Sequence, residues 1–112
     1  MMIEKIVLDH LNDELQVPVY MERQKTEPSS FVTIEKTGSS RENLITTSTL
    51  AIQSYASSLY AAASLNETVK SAMDELIDDD EIVRVTLNSD YNYTDTTEKI
   101  YRYQAVYDVI HY

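Results

Sequence analysis

LITTSTLAIQSYASSLYAAASLNETVKSAMDELI, residues Leu44 to Ile77, changes character once, at Ala56-Ser57-Ser58. Before that point β-branched residues are dense and Gly and Pro are absent, which favours a strand. Leu44, Leu50 and Ile52 fall on one face with Thr46, Ser48 and Ser54. Ile45, Ala51 and Tyr55 fall on the other with Thr47, Thr49 and Gln53. Neither face is apolar before about Leu50, so the first half is expected to project from the core as a hairpin arm or edge. After the serines the period becomes helical. Leu59, Ala62, Leu65, Val69, Met73 and Leu76 mark one face, with Asn66, Glu67, Lys70, Ser71 and Asp74 mainly on the other. Ser57 or Ser58 is placed to cap the helix with its hydroxyl.

On the N-terminal side, Ile3, Ile6, Val7, Leu11 and Leu15 recur at helical spacing. Pro18 ends that helix, because proline forces the preceding residue into extended geometry. A short strand over Val17–Met21, a polar loop over Glu22–Ser30 and a strand over Phe31–Lys36 follow. Thr37–Asn43 carries the only glycine, Gly38, and no apolar residue, so it is expected to be an exposed loop or hairpin tip. On the C-terminal side, Asp78-Asp79-Asp80-Glu81 sits where a helix end is already partly negative, so either the helix stops by about Ile77 and leaves the acids solvated, the better reading, or a basic partner or a cation sits there. Ile82–Leu87 reads as a strand with Val83, Val85 and Leu87 on one face, Asn88–Lys99 as a polar connection, and Ile100–Ile110 as a long last strand. The expected fold is one α+β domain: a mostly antiparallel sheet of about five strands, two helices packed on one face, order α-β-β-β-α-β-β.

The chain has 112 residues, 43% of them hydrophobic, enough for one core. Without cysteine there is neither a disulfide framework nor a Cys-based metal site. No apolar run reaches the roughly 18 residues of a membrane-spanning helix. The start, Met1-Met2-Ile3-Glu4-Lys5, lacks the basic-then-apolar layout of a signal peptide, so a cytoplasmic product is expected. A net charge of −10 argues against a protein that holds nucleic acid, since such binding rests on Lys and Arg neutralising phosphates. Nine tyrosines beside one phenylalanine and no tryptophan suit surfaces that become half-buried.

Signals for catalysis are sparse. One glycine is too few for a phosphate-cradling loop. The two histidines, His10 and His111, lie near no nucleophile elbow. His10 and Glu14 share a helix face without a third metal ligand. Asp90, Asn92 and Thr94 match the opening of a calcium loop, but Asp95 replaces the turn glycine and Tyr101 the bidentate glutamate, so a polar turn is the better reading. No enzyme activity and no cofactor are expected.

Four blocks carry a resemblance: FVTIEKTGSSREN (Phe31–Asn43), TLAIQSYASSLYAAASL (Thr49–Leu65), VRVTLNSDYNYTD (Val83–Asp95) and YRYQAVYDVIH (Tyr101–His111). Together they look like small tail proteins of long-tailed bacteriophages and prophages, above all the tail terminator or head–tail joining group. The resemblance implies a structural protein without cofactor. It implies a ring of copies of the chain, as a rule a hexamer, on the head-proximal end of the tail tube. Its partners would be the tail-tube protein and a head-completion or connector protein, and its place the host bacterial cytoplasm and then the virion neck. DNA would pass through without specific binding, and an acidic lumen would repel its phosphates. Rings use one patch against a different patch of the neighbour. Arg41, Leu44, Thr46, Tyr101, Arg102 and Tyr103 are the candidate contacts, with Arg and Tyr the types that enrich at interfaces. The alternative is a small acidic monomeric adaptor that binds a protein through its Tyr-rich sheet face.

Overall fold

The computed structural model describes residues 2–112. The chain runs α1 (Ile3–Glu14), β1 (Val19–Tyr20), β2 (Phe31–Glu42), β3 (Ile45–Ala56), α2 (Leu59–Asp74), a 3-10 turn (Glu75–Asp78), β4 (Ile82–Asn92) and β5 (Tyr101–His111). The five strands form one sheet in the order β1-β2-β3-β5-β4, antiparallel except for the β1–β2 pair. This is the α+β arrangement and element order read from the sequence.

Both helices lie on one face. The register aligns Ile34, Ile52 and Ala105 across three strands, and these join Val32, Leu50, Tyr107 and Val109 in one apolar cluster. Ile3, Val7 and Leu11 of α1 and Val69, Ala72 and Met73 of α2 complete it. At about 25 cal/mol per Å² of apolar surface removed from water, this cluster is the main stabilising term. Ser58 caps α2, its hydroxyl accepting the Ala61 N–H at 3.1 Å. His10 of α1 ties the helices together by donating from Nε2 to the Ala72 carbonyl at 2.7 Å, so it serves packing and not a metal.

Three sequence expectations narrow or change. Thr37–Asn43 is an exposed hairpin tip and not a loop, because β2 continues to Glu42 against β3 and the chain turns at Asn43. Its side chains are exposed on both faces, so no apolar alternation marks it as strand. β4 likewise continues to Asn92, through two register shifts at Ile82/Arg84 and Leu87/Ser89. Those bulges break the expected face of Val83, Val85 and Leu87, leaving Val83 and Leu87 exposed. The first half of β3 does not project, since Thr46 already pairs with Arg41 on one side and His111 on the other.

The polar residues of that half have partners. Ser48 is buried, and its hydroxyl meets His111 Nε2 at 2.9 Å. His111 Nδ1 lies 3.1 Å from the Tyr112 main-chain oxygen, which can only accept, so Nδ1–H donates to it. The Thr49 hydroxyl donates to Asp108 at 2.9 Å. Asn66, expected on the outer face of α2, is only 1% exposed and donates to the Asp90 carboxylate at 2.6 Å. Lys70 reaches the same carboxylate, and Asp90 thereby pins β4 to α2. It stands in β4, so the polar turn expected from Asp90 onward is confined to Asp95–Ile100, and Asp90 is not the first ligand of a calcium loop.

Candidate interaction surface

The face of the sheet turned away from the helices carries two cross-strand rows. In the first, Thr33 donates to Gln53 at 2.7 Å, Gln53 to Gln104 at 2.7 Å, and Gln104 to the Tyr91 hydroxyl, crossing four strands without a break. In the second, Phe31 stacks on Tyr55 with ring centroids 4.5 Å apart and 10° between planes. The Arg23 guanidinium lies 4.8 Å from the Tyr55 centroid and 5.4 Å from that of Phe31. Arg102 lies 4.6 Å from the Tyr93 centroid and 5.8 Å from that of Tyr55. The layer explains why Phe31, Thr33 and Tyr55 are buried on a face no helix covers.

The arginines in this layer are largely committed. Arg23 makes a forked contact with Glu27 at 2.8–3.2 Å, a geometry that holds both groups in their charged forms. Its hydrogen bond to Glu27 raises the guanidinium pKa above its usual value, and the same bond pulls the Glu27 carboxyl below its own. Arg102 donates to the Tyr93 carbonyl at 2.7 Å. A shallow groove of about 280 Å³ opens between Arg23, Gln53, Tyr93 and Arg102, with Glu22 and Glu35 also on its wall. Polar and aromatic, with charges of both signs, it offers contact surface and no isolated reactive group. Among the described residues no group of three or more His, Asp or Glu side chains is placed to hold a metal ion, and no helix is long and apolar enough to cross a membrane.

The other end of the sheet is different. Glu42 pairs with Ile45, leaving Asn43 and Leu44 as a two-residue turn with φ of 52° and 69°. Left-handed φ at both positions is the geometry of the tight hairpin turn whose twist matches its strands. Asparagine tolerates it, but leucine does so against its Cβ, at a cost of about 1–2 kcal/mol. Leu44 gains nothing in return within the protomer, being 75% exposed. Arg41, two residues before the turn, makes no ion pair among the described residues.

The six candidate contact residues therefore do not form one patch. Arg41, Leu44 and Thr46 lie at the β2–β3 turn, level with His111. Tyr101, Arg102 and Tyr103 lie at the opposite end of β5, level with Ala56 to Ser54 and about 33 Å away at strand spacing. Strand alternation puts Arg102 on the open face and Tyr101 and Tyr103 on the helix side. Thr46 lies between two strands and is half-buried. What the sequence reading missed is the Arg23–Phe31–Tyr55–Arg102–Tyr93 layer. Its signal was partial: Phe31, Tyr55 and Arg102 fall on the open-face parity of β2, β3 and β5, whereas Tyr101, Tyr103 and Tyr107 fall on the other. The role of Arg23, which comes from a loop, had no sequence signal.

No protein-family model matches the chain, and a search of curated proteins finds no match to it.

Proposed function

We propose that the protein is a structural component of phage or prophage morphogenesis that assembles into a ring at the head-proximal end of the tail tube. There it ends tube polymerisation and joins tail to head, with the tube subunit and a head-completion protein as partners. The reading rests on the resemblance of the four sequence blocks, whose element order agrees with the fold. The observation that carries it furthest is the β2–β3 turn. A strained, exposed leucine beside a guanidinium without an ion-pair partner is poorly explained by the folding of one protomer, and supports a subunit contact. A net charge of −10 suits a channel through which DNA slides.

The test is to add the purified protein to polymerising tail-tube subunits of the phage or prophage that encodes it and to measure tube lengths by negative-stain imaging. Shortened, capped tubes are expected. Unchanged lengths with no protein at tube ends would overturn the reading. A second reading, a monomeric adaptor, is favoured by the groove at Tyr93 and Arg102. It predicts a monomer that captures a partner protein and loses it on Tyr93→Ala.

A further inference from the structure

The β2–β3 turn needs a counter-surface, and the opposite edge of the same sheet supplies one. The sheet has two open lateral edges. β1 pairs with β2 only at Val32 and Thr33, so the outer side of β2 is unpaired from there to Glu42. β4 is the other edge strand. Both are interrupted by register shifts, at Lys36/Gly38 on β2 and at Ile82/Arg84 and Leu87/Ser89 on β4. Bulged edges resist the regular backbone pairing that would extend a sheet from one molecule to the next. Contact between copies is therefore left to side chains.

The register fixes which side chains. Arg41, Thr46, His111 and Ile82 form one cross-strand row from the β2 edge to the β4 edge. At its β2 end the helix side of the sheet presents Arg41, with Leu44 at the turn just beyond. At its β4 end the chain arrives at Ile82 directly from Asp78-Asp79-Asp80-Glu81. Asp78, Asp79 and Asp80 are exposed and have no cationic partner among the described residues. Ile77 and Val83, two exposed apolar residues, flank the acidic run. On the helix side one edge thus offers a leucine and a guanidinium, with the adjacent Glu42 turned to the open face, and the other offers apolar residues and a block of negative charge.

We infer that in an assembly of this chain the β2–β3 turn of one copy, through Leu44 and Arg41, docks on the 77–83 segment of the next copy, between Ile77, Val83 and the acids at Asp78 and Asp80. Arg41 and Ile82 share one cross-strand row, so the two surfaces sit at the same end of opposite edges of the sheet. Such a head-to-tail contact gives a ring where the rotation between copies closes, and a filament where it does not. The inference rests on the proposed ring being built from copies of this chain, and not on what the ring caps.

Charge exchange tests it. Arg41→Glu makes both edges negative. Asp78→Lys with Asp80→Lys takes the 78–81 run from four negative charges to none in balance and sets two lysines where Arg41 docks. Asp79 is kept, because its carboxylate accepts the Glu81 N–H and shapes the turn. Far-ultraviolet circular dichroism and melting establish that each variant folds, and sedimentation velocity reads the assembly. The unmodified chain is expected to associate, and each variant alone to associate at least tenfold more weakly. An equimolar mixture of the two variants is expected to recover association, since each glutamate placed at position 41 then meets the introduced lysines and each unchanged Arg41 meets an unchanged acidic run. Assembly of the unmodified chain that neither variant weakens, or that the mixture does not recover, would overturn the docking surface and leave the ring standing. A chain that stays monomeric at all concentrations would overturn both.

Discussion

The two hairpins of this molecule are opposites. β4–β5, at one end of the sheet, is joined by a long connection that satisfies itself. Asp95 accepts from the Thr97 and Glu98 N–H groups, the Thr94 hydroxyl donates to the Arg102 carbonyl, and Arg102 closes over Tyr93. β2–β3, at the other end, is joined by two residues in left-handed geometry and leaves a leucine in water. Polar and charged residues fill both, so composition does not separate them. What separates them is the residue that takes left-handed geometry: Lys99 in the first, at φ 54° with its ammonium in water, and Leu44 in the second, an apolar side chain in water. A charged side chain is at home there, and an apolar one is what the proposed subunit contact would account for.

The sharpest check on this division is the core that both hairpins extend from. Met73 is fully buried between α2 and the sheet. Met73→Ala is expected to cost about 2–5 kcal/mol of unfolding free energy by denaturant titration, as a buried truncation that leaves a cavity. A cost below 1 kcal/mol would mean that the helix face had been placed wrongly.

Alkaline pH probes the seam between α2 and the sheet. Burial, with the Asp74 carboxylate second, pushes the Tyr107 hydroxyl up to about 12 from 10.0. Asp90, with Glu67 second, raises the Lys70 ammonium well above 10.5. Both groups keep their proton in the folded state at a pH where the unfolded chain has lost it. Their stabilisation is therefore complete below about pH 10 and is lost as pH rises through the folded values. The melting temperature should fall above pH 10, with a late rise in tyrosinate absorbance coincident with unfolding. Tyr107→Phe should flatten the fall, and an unchanged pH profile in that variant would remove Tyr107 from the account.

Smaller effects separate the two ends directly. Arg102→Ala removes a charged hydrogen bond and a cation–π contact from the satisfied hairpin, and a loss of about 1–2 kcal/mol is expected. Arg41→Ala, at the other hairpin, should leave stability within about 0.5 kcal/mol, as for a surface residue without partners. Equal losses at the two sites would erase the contrast.

The helices, the order of elements and the apolar face of the sheet were legible because they rest on periodicity. Ile3–Leu15 and Leu59–Leu76 repeat at helical spacing, and Leu50–Ile52 and Ala105–Val109 alternate. Less legible was whatever depends on a partner far along the chain. Asn66 looked like a solvent residue because Asp90 lies 24 positions away. Ser48 and Thr49 looked too polar for a paired strand because His111 and Asp108 lie about sixty positions away. The outer half of β2 carries no apolar pattern at all, and only the Asn43–Leu44 turn fixes its pairing. For the candidate surface, Arg41 and Leu44 were visible as types, but their separation from Tyr101–Tyr103 follows from the antiparallel β3–β5 register.

The last contrast concerns the sign of an effect. In most exposed positions leucine to glycine is neutral or destabilising, because glycine brings about 0.5–1 kcal/mol of extra freedom to the unfolded chain. At Leu44 the native φ of 69° reverses the balance. Relief of about 1–2 kcal/mol of Cβ strain outweighs that entropy, so Leu44→Gly should raise protomer stability by about 0.5–1 kcal/mol. If the leucine is the docking residue, the same variant should lose assembly. A gain in melting temperature together with a loss of sedimenting complex is a signature that neither a purely structural residue nor an inert surface residue produces. A variant that lost both would place Leu44 in the folding of the hairpin, and one that kept its assembly would move the contact away from the turn.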